Sequence, residues 1–412
     1  MSRFASICGL FAFSATVRSA IVLLAIVHPA AAAAAEPITL KVALYPSVPM
    51  PRDLFAELEG AFEGKHPGIN VELVDTQHFN DDYYSGALLD TEADVYEVDT
   101  ILLTDMIAAG KVQALDLPRN DYFADSIAAV TRNGKTYAVP HWLCGNLLFY
   151  RKADGWIGQA KSWDELIAAF LEHGRHLAVD FEGHSTLGEW YLTLLSNKLG
   201  LEEAEKRVLK SHGLDDEVVA EMRKILEACL PGTCRSRDLH DRTGYYSRAF
   251  VRGEVGAYVG YSESLHYGLQ EALEDCRLDS CLSESDIAVR ALPVAGNASE
   301  HGLGWVDGLA IDNHVSAAKL QAAKDFIAFL TSDDAYSLIL EPEEGEAPRY
   351  LMPALPVTIE HAAMYPSLQV ALEGRSTGTE AGLNARLRET SETLDCVLAA
   401  ADKAAEAACE HP

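Results

Sequence analysis

Positive charge is what this chain has least of: 33 lysines and arginines stand against 62 aspartates and glutamates, a formal charge of −29 over 412 residues. That balance argues against nucleic acid and anionic membrane surfaces as partners, because both are bound through clustered Lys and Arg. It permits attraction of a small cation and also serves solubility. Long apolar runs are missing after the N-terminal segment, where nothing approaches the roughly 20 residues of a spanning helix. Repeats, low-complexity tracts and flexible linkers are missing too. No His-Glu-x-x-His, P-loop or Gly-x-Gly-x-x-Gly sequence occurs, so no metal and no cofactor is expected.

What is present begins with a leader. Arg3 and Arg18 supply positive charge, Ser19 to Val27 form an apolar core too short to span a bilayer, and the alanine run ending at Ala35 offers small-residue cleavage sites. The expectation is a signal peptide over 1–35 and a secreted or periplasmic protein with no membrane contact after cleavage. The about 377 residues that remain exceed one ordinary core and suit two lobes.

An oxidising compartment gives the cysteines a meaning. Of eight, Cys8 leaves with the leader, and six sort into neighbouring pairs: Cys229 with Cys234, Cys276 with Cys281, and Cys396 with Cys409. Disulfides fit these spacings better than a zinc site in an exported chain. Cys144 is left over, in an apolar and aromatic stretch far from any partner. An unpaired thiol is a liability there, which makes Cys144 the candidate nucleophile.

The periodicity alternates strand and helix. Strands are expected over Ile38 to Tyr45, Ile69 to Val74 and Ala93 to Val98, with helices over Arg52 to Glu63 and Thr104 to Ala109. A parallel open sheet follows, with ligands beyond the strand ends where Tyr45 and Asp99 fall. Further on come helices over Trp163 to Leu171, Leu187 to Lys198, Asp216 to Cys229 and Ala317 to Leu330. Short strands are expected over Gly256 to Tyr261, Ile287 to Leu292 and Gly308 to Ile311. Gly260-Tyr-Ser-Glu-Ser264 falls short of a nucleophile elbow, because its last position is serine. His141 lies three residues before Cys144 on one extended strand, which points the two side chains to opposite faces. Asn297-Ala-Ser299 is a glycosylation sequon with meaning only in a eukaryotic host.

Several blocks carry a specific likeness: Leu40-Lys-Val-Ala-Leu-Tyr-Pro, Arg132-Asn-Gly-Lys-Thr-Tyr-Ala-Val-Pro, Leu143-Cys-Gly-Asn-Leu-Leu-Phe-Tyr-Arg-Lys, Gly260-Tyr-Ser-Glu-Ser and Arg349-Tyr-Leu-Met-Pro. In this order, from Leu40 to Pro353, they resemble thiaminase I, also called thiamine pyridinylase. The Asn-Gly-Lys-x-Tyr-x-x-Pro text is shared with exported solute-binding proteins of the maltose-binding type, which have the same fold. The Cys144 and Glu263 blocks are the specific part.

The resemblance implies an α/β, two-lobed, periplasmic-binding-protein-like (type II) fold with the active site in the interlobe cleft. The lobes are expected as 36–146 with 288–330, and 147–287 with 331–412. It implies an enzyme that displaces the thiazole of thiamine by cysteine attack on the pyrimidine. The pyrimidinylmethyl group then passes to an amine, pyridine or thiol, with thiamine and that small base as the only partners of a monomer. Carried over, Cys144 is the nucleophile and Glu263 the base, which requires a partly buried carboxyl with a raised pKa. Asp99 serves the pyrimidine and Asp307 positions substrate. Tyr45, Tyr84, Tyr245 and Tyr261 fall at or near ring-stacking positions, with Tyr83 and Tyr246 as adjacent rivals. Trp305 stands where a tyrosine is expected, keeping a π-face but offering only a donor. The competing function is a non-catalytic solute-binding protein for thiamine or a related cation, which leaves Cys144 and Glu263 without a purpose. A cysteine hydrolase would further need an oxyanion hole that the sequence does not identify.

Overall fold

The computed structural model describes residues 37–76, 84, 86–211, 213–275, 281–293, 303–357, 363–375, 377–400 and 403–409. The leader, Tyr83, Cys276 and the Asn297 sequon lie outside them. From Pro37 onward the chain forms one unit of contacts. Among the described residues no helix is long and apolar enough to cross a membrane.

Twelve strands occur among these residues: β1 (Ile38–Ala43), β2 (Ile69–Leu73), β3 (Val95–Asp99), β4 (Thr131–Arg132), β5 (Lys135–Thr136), β6 (Val139–Cys144), β7 (Leu147–Arg151), β8 (Leu177–Val179), β9 (Ala257–Gly260), β10 (Ile287–Ala291), β11 (Trp305–Ile311) and β12 (Met352–Pro353). They build a six-stranded sheet in the order β12-β6-β11-β3-β1-β2, a four-stranded sheet in the order β10-β7-β9-β8, and the small β4-β5 hairpin. The first three strands run parallel, as the βαβ pattern requires, with β1 between β2 and β3.

The sheet is mixed rather than all parallel. Strand β11 enters antiparallel between β3 and β6, and β12 adds antiparallel to β6. All seven residues of β11 are buried. Such a strand needs partners on both edges, and β3 and β6 supply them from more than 160 residues away in the chain.

The lobe boundaries expected at 288 and 331 do not follow the sheets. Strand β10 pairs with β7 in the four-stranded sheet, whereas β12 belongs to the six-stranded one. Helix Asp333–Leu340 packs against helices Pro51–Lys65 and Ala317–Leu330 of the first half. Helix Leu383–Ala399 packs on His184–Leu199 of the second.

Helix ends explain the remaining shifts. Asp99 is an N-cap, its carboxylate accepting the Ile101 N–H at 2.8 Å, so the following helix spans Thr100–Ala108 and starts a turn before the apolar periodicity suggests. Gly174, in the left-handed region, closes helix Trp163–His173. Disulfides join Cys229 to Cys234 and Cys396 to Cys409, while Cys144 is a free thiol. Cys281 is also disulfide-bonded.

Candidate active site between the two sheets

The chain crosses from one sheet to the other between β6 and β7, and only Gly145 and Asn146 make the crossing. Cys144 is the last residue before it. Opposite, Trp305 opens β11 after the return crossing and pairs with Cys144, while Asp307 pairs with Trp142 on one side and Asp99 on the other. Paired residues and residues two apart share a face of the sheet, so Cys144, Trp305, Asp307 and Asp99 converge. On the second sheet Leu147 pairs with Gly260, which places Tyr261 and Glu263 just past the end of β9 beside the same crossing.

A cavity of about 520 Å³ opens there. Its walls include the aromatic side chains of Tyr45, Tyr84, Tyr261, Tyr267 and Trp305 and the carboxyls of Asp99, Glu189 and Glu263. Aromatic faces with several carboxylates suit a flat, positively charged ring.

The thiol of Cys144 donates to Asp307 Oδ2 at 3.1 Å. Burial, together with the negative charges of Asp307, Glu263 and Asp99, holds that thiol well above its ordinary range. Asp307 is itself pushed up by burial and by Asp99, which favours its neutral form. Asp99 is raised chiefly by burial, against hydrogen bonds from the Ile101 N–H, Tyr84 and Thr100. Glu263 is pushed up to about 7 by burial, against its own backbone N–H and the Ser262 hydroxyl. Ser262 is buried and donates to Glu263 Oε2 at 3.4 Å, which makes it a support for that carboxyl.

The tyrosines form a chain. Tyr45 and Tyr84 share a hydrogen bond of 3.0 Å, and Tyr84 donates to Asp99 Oδ2 at 3.4 Å. Asp99 thus caps a helix with one oxygen and turns the other to the cavity. The structure does not bring Tyr245 to the cavity wall: it opens helix Tyr245–Val251, where its ring meets Tyr246 edge-on at 5.3 Å. Tyr246 is buried and lines a smaller neighbouring pocket of 140 Å³. Tyr267, on helix Leu265–Asp275, occupies the main wall instead. Its position four residues after Glu263 is the signal that local reading of the sequence passes over.

His141 turns away from Cys144. The register of β6 against β11 shifts at Asp307/Gly308, and the His141 ring there binds Glu97 through Nδ1 at 2.5 Å and lies against Trp142. Among the described residues no group of three His, Cys, Asp or Glu side chains is placed to hold a metal ion.

Comparison with known proteins places this arrangement. Residues 57–342 match the model for bacterial extracellular solute-binding proteins. The chain belongs to that family. It is also 29% identical over 355 residues to Thiaminase-1 of Paenibacillus thiaminolyticus, with 81% of each chain covered. The fold is similar to that of Clostridium botulinum thiaminase I in complex with thiamin, with a TM-score of 0.72 and 19% identity, covering 87% of this chain and 99% of that one. Maltose-bound MalE3 of T. maritima follows at a TM-score of 0.61 and 18% identity, covering 90% and 97%.

Within this solute-binding-protein family fold, one site residue escapes sequence reading altogether. Glu189 sits on helix His184–Leu199 and accepts from Asn146 Nδ2 at 2.8 Å, from Trp305 Nε1 at 3.2 Å and from the Tyr261 hydroxyl. The donor-only indole of Trp305 is therefore matched to an acceptor. Burial raises Glu189, against the hydrogen bonds from Tyr261, Trp305 and Asn146 and, more weakly, the charge of Arg375.

Proposed function

We propose that this protein is an exported transferase that cleaves thiamine, displacing its thiazole and passing the pyrimidinylmethyl group to an amine, pyridine or thiol. The observation that carries the reading is the free thiol of Cys144 in contact with Asp307, beside a cavity walled by Glu263, Asp99 and five aromatic side chains. The likeness to Thiaminase-1 across 81% of the chain supports it. A binding protein needs the rings and the negative charge but has no use for a half-buried free thiol among carboxyls.

The chemistry divides among these groups. A thiol held above its ordinary range is protonated at neutral pH, so attack on the pyrimidine needs a base. Asp307 orients the sulfur, but as the favoured neutral acid it has little capacity to take its proton. Glu263, at about 7, is close to half ionised at neutrality and is the better proton acceptor. As sulfur adds, electron density builds on the pyrimidine ring nitrogens, and the Tyr45–Tyr84–Asp99 chain supplies a donor for it. The rings hold both heterocycles in place, and the carboxyl cluster favours the cationic thiazolium over the neutral thiazole that leaves. Once the thiazole departs, an acceptor takes the pyrimidinylmethyl group and the thiol is restored.

The test is incubation with thiamine and pyridine while free thiazole is followed. Catalytic release in excess over protein supports the transferase. Thiamine bound and recovered intact would instead establish a solute-binding function.

A further inference from the structure

Arg375 is a charged residue buried in the middle of the junction between the two sheets, with 2% of its surface exposed. Its Nη1 and Nη2 both donate to the carbonyl of Asn146, at 3.3 and 3.2 Å, and Nη1 also reaches the Ala371 carbonyl at 3.3 Å. Burial lowers its pKa to about 10, while the negative charge of Glu189 opposes the loss of its proton. A guanidinium this deep is expensive unless its charge and its planar fork are both used.

Three chain segments meet on it. The outward crossing, Gly145 and Asn146, is held by the two guanidinium bonds. The return crossing lies against the Arg375 backbone so closely that a Cβ on Gly304 would sit 2.5 Å from the Arg375 carbonyl oxygen. Thr377 then ties the third segment back, its N–H and hydroxyl donating to the Gly304 carbonyl at 2.8 and 2.6 Å. Gly145 is similarly pressed, with the Leu303 carbonyl 3.2 Å from where its Cβ would be.

Asn146 links this junction to the site. Its carbonyl is held by Arg375, its side chain is bound to Glu189, and Glu189 also holds Tyr261 and Trp305. Cys144 lies two residues before Asn146 and pairs with Trp305. We propose that Arg375 is a positioning residue: by holding Asn146 it fixes the crossing that carries Cys144, and through the Asn146 side chain it steadies Glu189, the acceptor that orients Tyr261 and Trp305. This rests on Cys144 being the nucleophile.

A group that acts by position affects the transition state more than initial binding, and it does so through its partners. Arg375→Met keeps the length and apolar stem but removes the charge and both donors. It should lower kcat for thiamine with pyridine at least about 30-fold while KM changes less than about 3-fold. Arg375→Lys keeps a charge without the two-pronged hold and should recover part of kcat. In a Glu189→Gln background the Arg375→Met loss should shrink to less than about 5-fold, because the carboxylate that gathers Asn146, Tyr261 and Trp305 is already gone. Circular dichroism and titration of the free thiol count correctly folded sites in every variant. If Arg375→Met does not fold, the Lys variant carries the same kcat against KM comparison.

A second arm does not depend on turnover. If the crossing loosens, the Cys144 thiol should lose its fixed contact with Asp307, so the infrared S–H stretching band of the wild-type protein, absent from Cys144→Ser, should shift or broaden in Arg375→Met. Wild-type kcat per folded site, or additive losses with an unchanged S–H band, would overturn the proposal. A wild-type protein that releases no thiazole would overturn the transferase reading, and the infrared arm would still decide the role of Arg375.

Discussion

Sulfur, carboxyl and ring nitrogen set the demands at the residue scale, and the thiol carries the largest. Cys144→Ser should remove turnover altogether while the fold persists, since an alcohol with the same base is far less nucleophilic than a thiol. Glu263→Gln keeps the shape and should cost at least about 100-fold, the lower end of general-base effects. The pH profile follows from direction. A base must be deprotonated to act, and Glu263 loses its proton near 7, so kcat/KM should climb through neutrality and level off above about pH 8 in the wild type. Glu263→Gln should lose that limb. A flat wild-type profile from pH 5 to 8 would remove Glu263 as the base. At this scale Cys144 stood out as an unpaired thiol and Asp99 as a strand-end residue, which are local features, whereas Glu263 and Asp307 entered through the resemblance to thiaminase I. Glu189 was not. Its three donors come from residues 43, 72 and 116 positions away, and nothing within its own helix announces them.

At the scale of elements, periodicity reveals which segments are strands and helices but not how distant strands insert. Strands β1 to β3 and their helices followed from the apolar pattern, and so did the helix Ala317–Leu330 to the residue. The antiparallel entry of β11 and β12 did not, because pairing partners for a fully buried strand are chosen by tertiary packing rather than by its own residues. The start of helix Thr100–Ala108 does not follow from periodicity because it is set by the Asp99 cap, one turn ahead of the apolar repeat. The disulfides are local pins by comparison. Cys229–Cys234 closes a short loop, so replacing both cysteines with serine should cost about 2 kcal/mol of stability, read as a lower thermal midpoint. Turnover per folded molecule should be kept, since neither residue touches the main cavity. Loss of turnover in the folded variant would mean that this loop shapes the site.

Over the whole molecule, buried carboxyls and the excess of negative charge each have a consequence. Glu263 and Glu205 are both raised to about 7, and Asp99 and Asp307 are raised with them, all chiefly by burial. For such groups the folded state holds protons that the unfolded state has released, so stability is greatest below the unfolded pKa near 4.5 and declines as pH rises through 7. The thermal midpoint should therefore be higher at pH 5 than at pH 8, and Glu263→Gln should flatten part of that slope. A midpoint that rises with pH across this window would contradict the buried, neutral carboxyls. The same charge should steer a cation. Raising ionic strength should lower kcat/KM for thiamine and leave a pyrimidine substrate with a neutral leaving group nearly unaffected. Equal salt effects on both would assign the −29 to solubility alone.

The most direct measurement is the mass of the intact protein after brief mixing with thiamine in the absence of any acceptor, followed by peptide mapping. A covalent transfer through Cys144 predicts one pyrimidinylmethyl fragment per chain on the peptide carrying Cys144, one thiazole released for each, and loss of the adduct when pyridine is added. Thiazole release from a protein that stays unmodified, or an unmodified protein that returns thiamine intact, would contradict it.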